Sequence, residues 1–187
     1  MSSDFERTLR RLKPDKQREQ LKPRNESDLP FVGVSSDKPR SLLYDTTVYV
    51  DILQGRFPAA EEGMLRATDA WHSTVAEAEL ASTCALLDPT HADTRGVIKE
   101  ITAVIDRISP HRTIAPDREI WLDAGILAGT IARLQGISRA DRRRILNDAL
   151  IFATARKHGH TVLTRNLVDF DLLYQLDPSG RVLFYRV

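Results

Sequence analysis

The chain has 187 residues, enough to bury a substantial core as one domain. Its 27 basic and 26 acidic side chains nearly balance, which excludes a uniformly basic surface, so any basic site must be local. The single cysteine, Cys84, excludes an intrachain disulfide, and no apolar run is long enough to span a membrane. These features favour a cytoplasmic protein with no membrane association.

The first forty residues differ in composition from the rest. They are rich in charged residues, serine and proline and have few large apolar side chains, so they have little surface to bury. We therefore divide the chain into a polar, basic tail or arm over 1–40, disordered or ordered only against a partner, and a folded domain over 41–187. The sequence FVGV at 31–34 favours a short edge strand.

The domain begins with an apolar, β-branched stretch at 42–50, which predicts a buried strand that runs into a helix. Ser138 and Asp141 resemble a capping box that opens a helix ending at Gly159, and Gly136 suits the end of the helix before it. The apolar spacing predicts helices over 59–70, 73–87, 94–108 and 117–135, and further strands at 161–164 (TVLT) and 182–187 (VLFYRV).

Helices that alternate with short apolar strands predict an α/β fold with three layers, in which helices flank a central, mostly parallel sheet. In such sheets the ligand crevice lies beyond the carboxyl ends of the strands. Asp45 lies near the end of the first predicted strand, and Asp169 follows TVLT. Both carboxylates therefore point to one edge of the sheet.

Four carboxylates lie beside apolar runs, where an acid without a partner is costly. If they converge, they form an oxygen-rich pocket for a hard cation such as Mg²⁺, which can activate water against a phosphodiester. The four are Asp45, Glu79, Asp148 and Asp169.

Each of these carboxylates also has a purely structural interpretation. Asp45 suits the N-cap of the following helix, and Glu79 can be a surface glutamate. Glu77 and Glu79 point about 200° apart on a helix, and Glu79 has the more apolar neighbours, so we choose Glu79. Asp148 is predicted in mid-helix, where aspartate is unfavourable and a function is the better explanation.

The fourth acidic position is the least determined. Asn166 and Asp169 both suit the start of a helix near Leu167, and Asn166 competes with Asp169 as the fourth oxygen donor. Around the four acids, Thr46 and Thr47 can hold the Asp45 carboxylate, and Thr164 and Arg165 can contact phosphate or face solvent.

Taken in order, these motifs resemble the PIN-domain ribonucleases, specifically the VapC-like toxins of type II toxin–antitoxin pairs. The matching sequences are YDTTVYVDIL, STVAEAEL, LNDALIFATARKHGHTVLT and TRNLVDF, which lie between Ser41 and about Leu173. Thr47 departs from the family pattern, in which Asn or Ser is common at that position. The resemblance does not cover the first forty residues.

The resemblance implies a metal-dependent endoribonuclease with a parallel sheet between helices. It implies an RNA substrate, a small antitoxin partner and a homodimer, with Mg²⁺ or Mn²⁺ held by Asp45, Glu79, Asp148 and Asp169. The alternative is a non-catalytic PIN-like module that binds RNA or protein. A phosphatase or receiver domain fits less well, because Thr47 replaces a second aspartate and VLFYRV offers Arg186 instead of a lysine.

Overall fold

Five short strands form the centre of the molecule in the computed structural model, which describes residues 3–34 and 39–187. The strands are β1 (Ser41–Tyr44), β2 (Asp69–Ser73), β3 (Thr113–Ile114), β4 (Thr161–Thr164) and β5 (Val182–Phe184). They lie in the order β3-β2-β1-β4-β5, and every neighbouring pair is parallel. All of β4 and most of β1 are buried, as expected for a sheet covered by helices on both faces. The predicted α/β fold is confirmed.

Eight α-helices occur in the described residues. They are α1 (Asp4–Leu12), α2 (Thr46–Leu53), α3 (Glu62–Ala67), α4 (Thr74–Leu86), α5 (Thr94–Arg107), α6 (Arg118–Gln135), α7 (Arg142–His158) and α8 (Leu167–Leu176). Gly136 and Gly159 end α6 and α7 with φ of 63° and 75°, a left-handed conformation that glycine adopts without strain. Both helix ends were predicted. No helix of the described residues is long and apolar enough to cross a bilayer.

Two local predictions are wrong. The helix predicted over 59–70 ends at Ala67, and Asp69–Ser73 is strand β2, which the sequence did not reveal because its apolar residues, Ala70 and Trp71, are adjacent and do not alternate with polar ones. Ser138 does not cap α7. Its hydroxyl donates to Asp141 at 2.7 Å, and Asp141 occupies the N-cap without a side-chain cap hydrogen bond.

The described part of the predicted arm, residues 3–34, lies on the domain. Leu12, Leu29 and Phe31 join the hydrophobic core, and α1 packs against α6. Residues 1–2 and 35–38 of the predicted arm lie outside the described residues. The composition suggested too little apolar surface to order this segment, but three apolar side chains are buried and ion pairs supplement them.

The ion pairs of the arm reach buried carboxylates of the domain. Thr8 donates to Asp123 at 2.6 Å, and Arg11 pairs with both Asp123 and Asp177. Because Asp123 and Asp177 are only 1% and 3% exposed, they need these partners. The arm thus neutralises charge inside the domain.

At 31–34 the chain pairs with the sheet edge less than predicted. Phe31 forms an isolated parallel bridge to Phe184, with Val32 donating to the Phe184 carbonyl at 2.8 Å. Val34 is exposed. The predicted edge strand is therefore only a single bridge.

Candidate active site

The carboxyl ends of β1 and β4 lie side by side, since Tyr44 pairs with Leu163 in a parallel register. Asp45 directly follows β1, and Thr164 ends β4. The side chains that follow these strands therefore meet at one edge of the sheet, as the sequence predicted.

Asp45 is 2% exposed, and its Oδ2 accepts hydrogen bonds from the hydroxyls of Thr47 and Thr164, each at 2.7 Å. It occupies the N-cap position of α2, but its side chain makes no capping hydrogen bond. Burial raises the pKa of Asp45, hydrogen bonds from Thr47 and Thr164 oppose the rise, and the charge of Glu79 adds to it. Thr47 supplies the hydroxyl that a serine at this position would supply.

Glu79 lies in α4 and faces the same cluster. Thr46 donates to its Oε2, and the amide of Asn147 donates to its Oε1 at 2.7 Å. Glu77, two residues earlier, faces elsewhere and accepts a hydrogen bond from Thr113 at 3.3 Å. The structure thus places Glu79 in the cluster and Glu77 outside it.

Asp148 lies in the second turn of α7 and is 7% exposed. Burial is the largest cause that raises the pKa of Asp148 well above its ordinary value, followed by the charges of Asp45, Asp169 and Glu79. Arg144 opposes this rise. A carboxyl at this position is charged only at a cost, unless a cation joins the cluster.

Asn166 and Asp169 both lie at the cluster, at the start of α8. Asn166 caps the helix, because its Oδ1 accepts from the backbone N–H of Asp169 at 3.3 Å. Its amide nitrogen donates to Asp169 at 2.9 Å and to Asp148 at 3.2 Å. In this arrangement Asn166 gives its oxygen to the helix, and Asp169 supplies the carboxylate.

Two cations border the cluster. Arg144, in the first turn of α7, forms an ion pair with Asp169. Arg165, predicted to bind substrate, pairs with the fully buried Asp51 at 2.7 Å, and its backbone N–H donates to Thr47 at 3.2 Å. Asp51 therefore holds the chain beside the cluster in place.

Sequence reasoning missed three residues of this site. Asn147 and Arg144 lie one residue and four residues before Asp148 on α7, and that spacing was the available signal. Asp51 was not identified, because only Arg56 among its partners is near in sequence, and Arg165 and Tyr185 lie more than a hundred residues away.

The donor chemistry of the cluster fits a divalent cation. Its four carboxylates face one paired cation, Arg144, so negative charge is in excess. Among residues 3–34 and 39–187, no group of three or more acidic, histidine or cysteine side chains is arranged so that it could hold a metal ion. Mg²⁺ needs fewer, because it is usually held by one or two carboxylates and keeps several waters.

An all-parallel, five-stranded sheet between helices, with acidic side chains at its carboxyl edge, is a PIN-like fold. Solved structures with this fold include a chain of VapBC2 from Rickettsia felis bound to a promoter DNA fragment, with 17% identity, a TM-score of 0.54, and coverage of 79% of this chain and 99% of that one. A chain of FitAcB from Neisseria gonorrhoeae matches with 23% identity, a TM-score of 0.54, and coverage of 76% and 96%.

A chain of VapBC-1 from nontypeable Haemophilus influenzae matches with 18% identity, a TM-score of 0.53, and coverage of 78% and 96%. At these identities the likeness establishes the fold. No protein-family model and no curated protein matches the sequence.

Proposed function

We propose that this protein is a metal-dependent endoribonuclease that hydrolyses RNA phosphodiester bonds. The observation that carries the proposal is the convergence of Asp45, Glu79, Asp148 and Asp169 at the carboxyl edge of the sheet, with the pKa of Asp148 raised partly by the other three. A cluster of like charges that is costly without a cation is suited to binding one.

In this proposal Asp45 and Asp148 are the principal holders of Mg²⁺ or Mn²⁺, with Glu79 and Asp169 completing the site. A bound cation supplies an activated water and stabilises charge on the phosphate. The side chains around the acids keep them oriented. Thr47 and Thr164 hold Asp45, Asn147 holds Glu79, and Asn166 holds Asp169.

Arg165 remains a candidate phosphate contact. Its side chain is 41% exposed while Asp51 holds the guanidinium. A guanidinium fixed by a buried carboxylate is pre-organised, so it loses less conformational freedom when it binds an anion.

The biological setting that we propose is the toxin half of a toxin–antitoxin pair in the cytoplasm, acting as a homodimer. VapBC and FitAcB complexes contain chains with the same fold, which supports an antitoxin partner. We expect expression of the chain alone to arrest growth and co-expression of a neighbouring small open reading frame to relieve the arrest. Harmless expression of an active enzyme would contradict the toxin role and leave the nuclease intact.

The nuclease itself is tested by incubating purified protein and cellular RNA with Mn²⁺, Mg²⁺ or EDTA. We expect discrete products with either metal and none with EDTA. Asp45→Asn should remove the activity, because the metal loses a buried ligand, while the variant keeps the wild-type circular dichroism spectrum.

A non-catalytic PIN-like module is the alternative, and the Arg144–Asp169 ion pair favours it, because that pair already neutralises part of the cluster. Such a module would give no products and no rise in melting temperature when Mn²⁺ is added. A metal-dependent rise in melting temperature that Asp45→Asn abolishes would exclude it.

A further inference from the structure

The first turn of α7 is the most basic surface beside the acidic cluster. Arg142, Arg143 and Arg144 occupy its first three positions, Arg139 lies just before it, and all four are exposed. In the described part of the chain, Arg139, Arg142 and Arg143 have neither an ion pair nor a side-chain hydrogen bond. Asp141, the acid nearest in sequence, accepts from Ser138 instead. The run is therefore not a network of surface salt bridges.

Helical spacing places one of these arginines one turn before an acid and another one turn before the amide that contacts Glu79. Residues four apart lie on the same face of a helix, so Arg143 precedes Asn147, and Arg144 precedes Asp148. Asn147 holds Glu79, whereas Arg144 reaches across to Asp169 on α8. The Arg144 guanidinium therefore borders the cluster on the side of α8, and Arg143 lies on the helix face of Asn147, the residue that contacts Glu79 of α4.

The Arg144 side chain is 60% exposed, so its guanidinium is open to a second anionic partner. Asp169 is only 8% exposed, but it keeps the hydrogen bond that Asn166 donates at 2.9 Å when Arg144 leaves. Arginine binds phosphate through two parallel hydrogen bonds, and the N-terminus of a helix also favours an anion. An RNA strand, itself a polyanion, needs such cations to approach four carboxylates.

We propose that Arg143 and Arg144 bind the RNA backbone phosphates on either side of the scissile phosphate, and that Arg144 leaves Asp169 when the RNA arrives. This inference rests on the proposed nuclease function and adds how the substrate strand is positioned. Arg144 thus exchanges one anionic partner for another, and Asp169 is released into the cluster.

The test is the affinity for a fluorescein-labelled, mixed-sequence single-stranded RNA, measured by anisotropy in EDTA over a series of KCl concentrations. We expect the double variant Arg143→Gln/Arg144→Gln to bind about tenfold more weakly, with a slope of log Kd against log salt lower by about 1.4, or about 0.7 for each lost phosphate contact. Arg95→Gln is the matched control, since Arg95 is exposed and occupies the same second position of α5. Its affinity should equal that of the wild type.

A second readout separates this inference from the nuclease proposal. In Mn²⁺, the double variant should raise KM more than it lowers kcat, and Arg143→Lys/Arg144→Lys should recover part of the loss. If the wild type cleaves RNA and the double variant matches its affinity, salt slope and KM, the inference is overturned and the nuclease stands. If the wild type does not cleave, the nuclease proposal fails, and the anisotropy result still decides whether these arginines bind RNA. If the wild type does not bind RNA, both the nuclease proposal and this inference are overturned.

Discussion

Two buried aspartates, Asp148 and Asp171, lie in opposite electrostatic surroundings. Asp148 faces three other carboxylates, and burial together with their charges raises its pKa. Asp171 accepts from the backbone N–H of Arg24 at 2.8 Å, from its guanidinium at 2.7 Å, and from Gln175 at 2.8 Å. Removing the negative charge should therefore have opposite effects on stability at the two positions.

We expect Asp148→Asn to raise the melting temperature in EDTA at neutral pH. A carboxyl whose folded-state pKa lies above its unfolded value gives stability that is present below the ordinary aspartate pKa and lost as the pH rises through the raised pKa. Asparagine removes that loss, and each kcal/mol gained raises the melting temperature by about 2–4 °C in a chain of this size. The advantage of the variant should vanish in acid, which melting curves over a pH series will show.

Asp171→Asn provides the comparison. It weakens a charged hydrogen-bond set at a buried site, so we expect a loss of at least about 1 kcal/mol at neutral pH. Equal losses in both variants would show that the charges around Asp148 are not in excess.

At the residue scale, the four acids could be identified from the sequence because each adjoins an apolar run. The residues that form hydrogen bonds with them could be identified only in part. Thr47 and Thr164 were suggested by their positions next to Asp45 and at the end of TVLT, whereas the amide of Asn147 contacts Glu79 across 68 residues of chain. Hydrogen bonds between distant segments leave no periodic pattern to detect.

At the element scale, the ordered arm is the main departure from expectation. Composition describes a segment by itself, and residues 1–40 are polar by that measure. In the described residues 3–34, Leu12, Leu29 and Phe31 join the core, and Arg11 pairs with Asp123 on α6, which Arg156 also contacts. Strand β2 was missed for a related reason, because its pairing with β1 decides its structure and its sequence alternates only weakly.

Asp123→Asn tests the attachment of the arm. The substitution removes the charge that Arg11 and Arg156 share, and we expect it to cost about 2–3 kcal/mol in urea denaturation, because a buried pair is broken although Arg11 is partly exposed. Relative to the wild type, the substitution should accelerate amide hydrogen exchange more in α1 than in α7. Arg118→Gln, which loses only an exposed contact to Asp4 at 3.5 Å, should change stability by less than about 0.5 kcal/mol. Similar values for the two variants would mean that the arm contributes little.

At the scale of the whole molecule, the topology places the site. Strand and helix patterns were sufficient to predict an α/β domain, and the parallel arrangement then brings the residues after β1 and β4 together at one edge. The helices α4, α7 and α8 add one acid each to that edge. The arrangement of the acids therefore follows from the fold, whereas the target of the proposed nuclease depends on surface contacts that the fold does not determine.

We propose that this acidic edge is the catalytic site of a metal-dependent nuclease. The most direct measurement is RNA cleavage in Mn²⁺ by Glu79→Gln and Glu77→Gln. Both variants replace a glutamate of α4 by glutamine, but the two positions lie on different faces of the helix. We expect Glu79→Gln to lose about 100-fold or more and Glu77→Gln to stay within about twofold of the wild type. Equal activity in the two variants would contradict the assignment of the site.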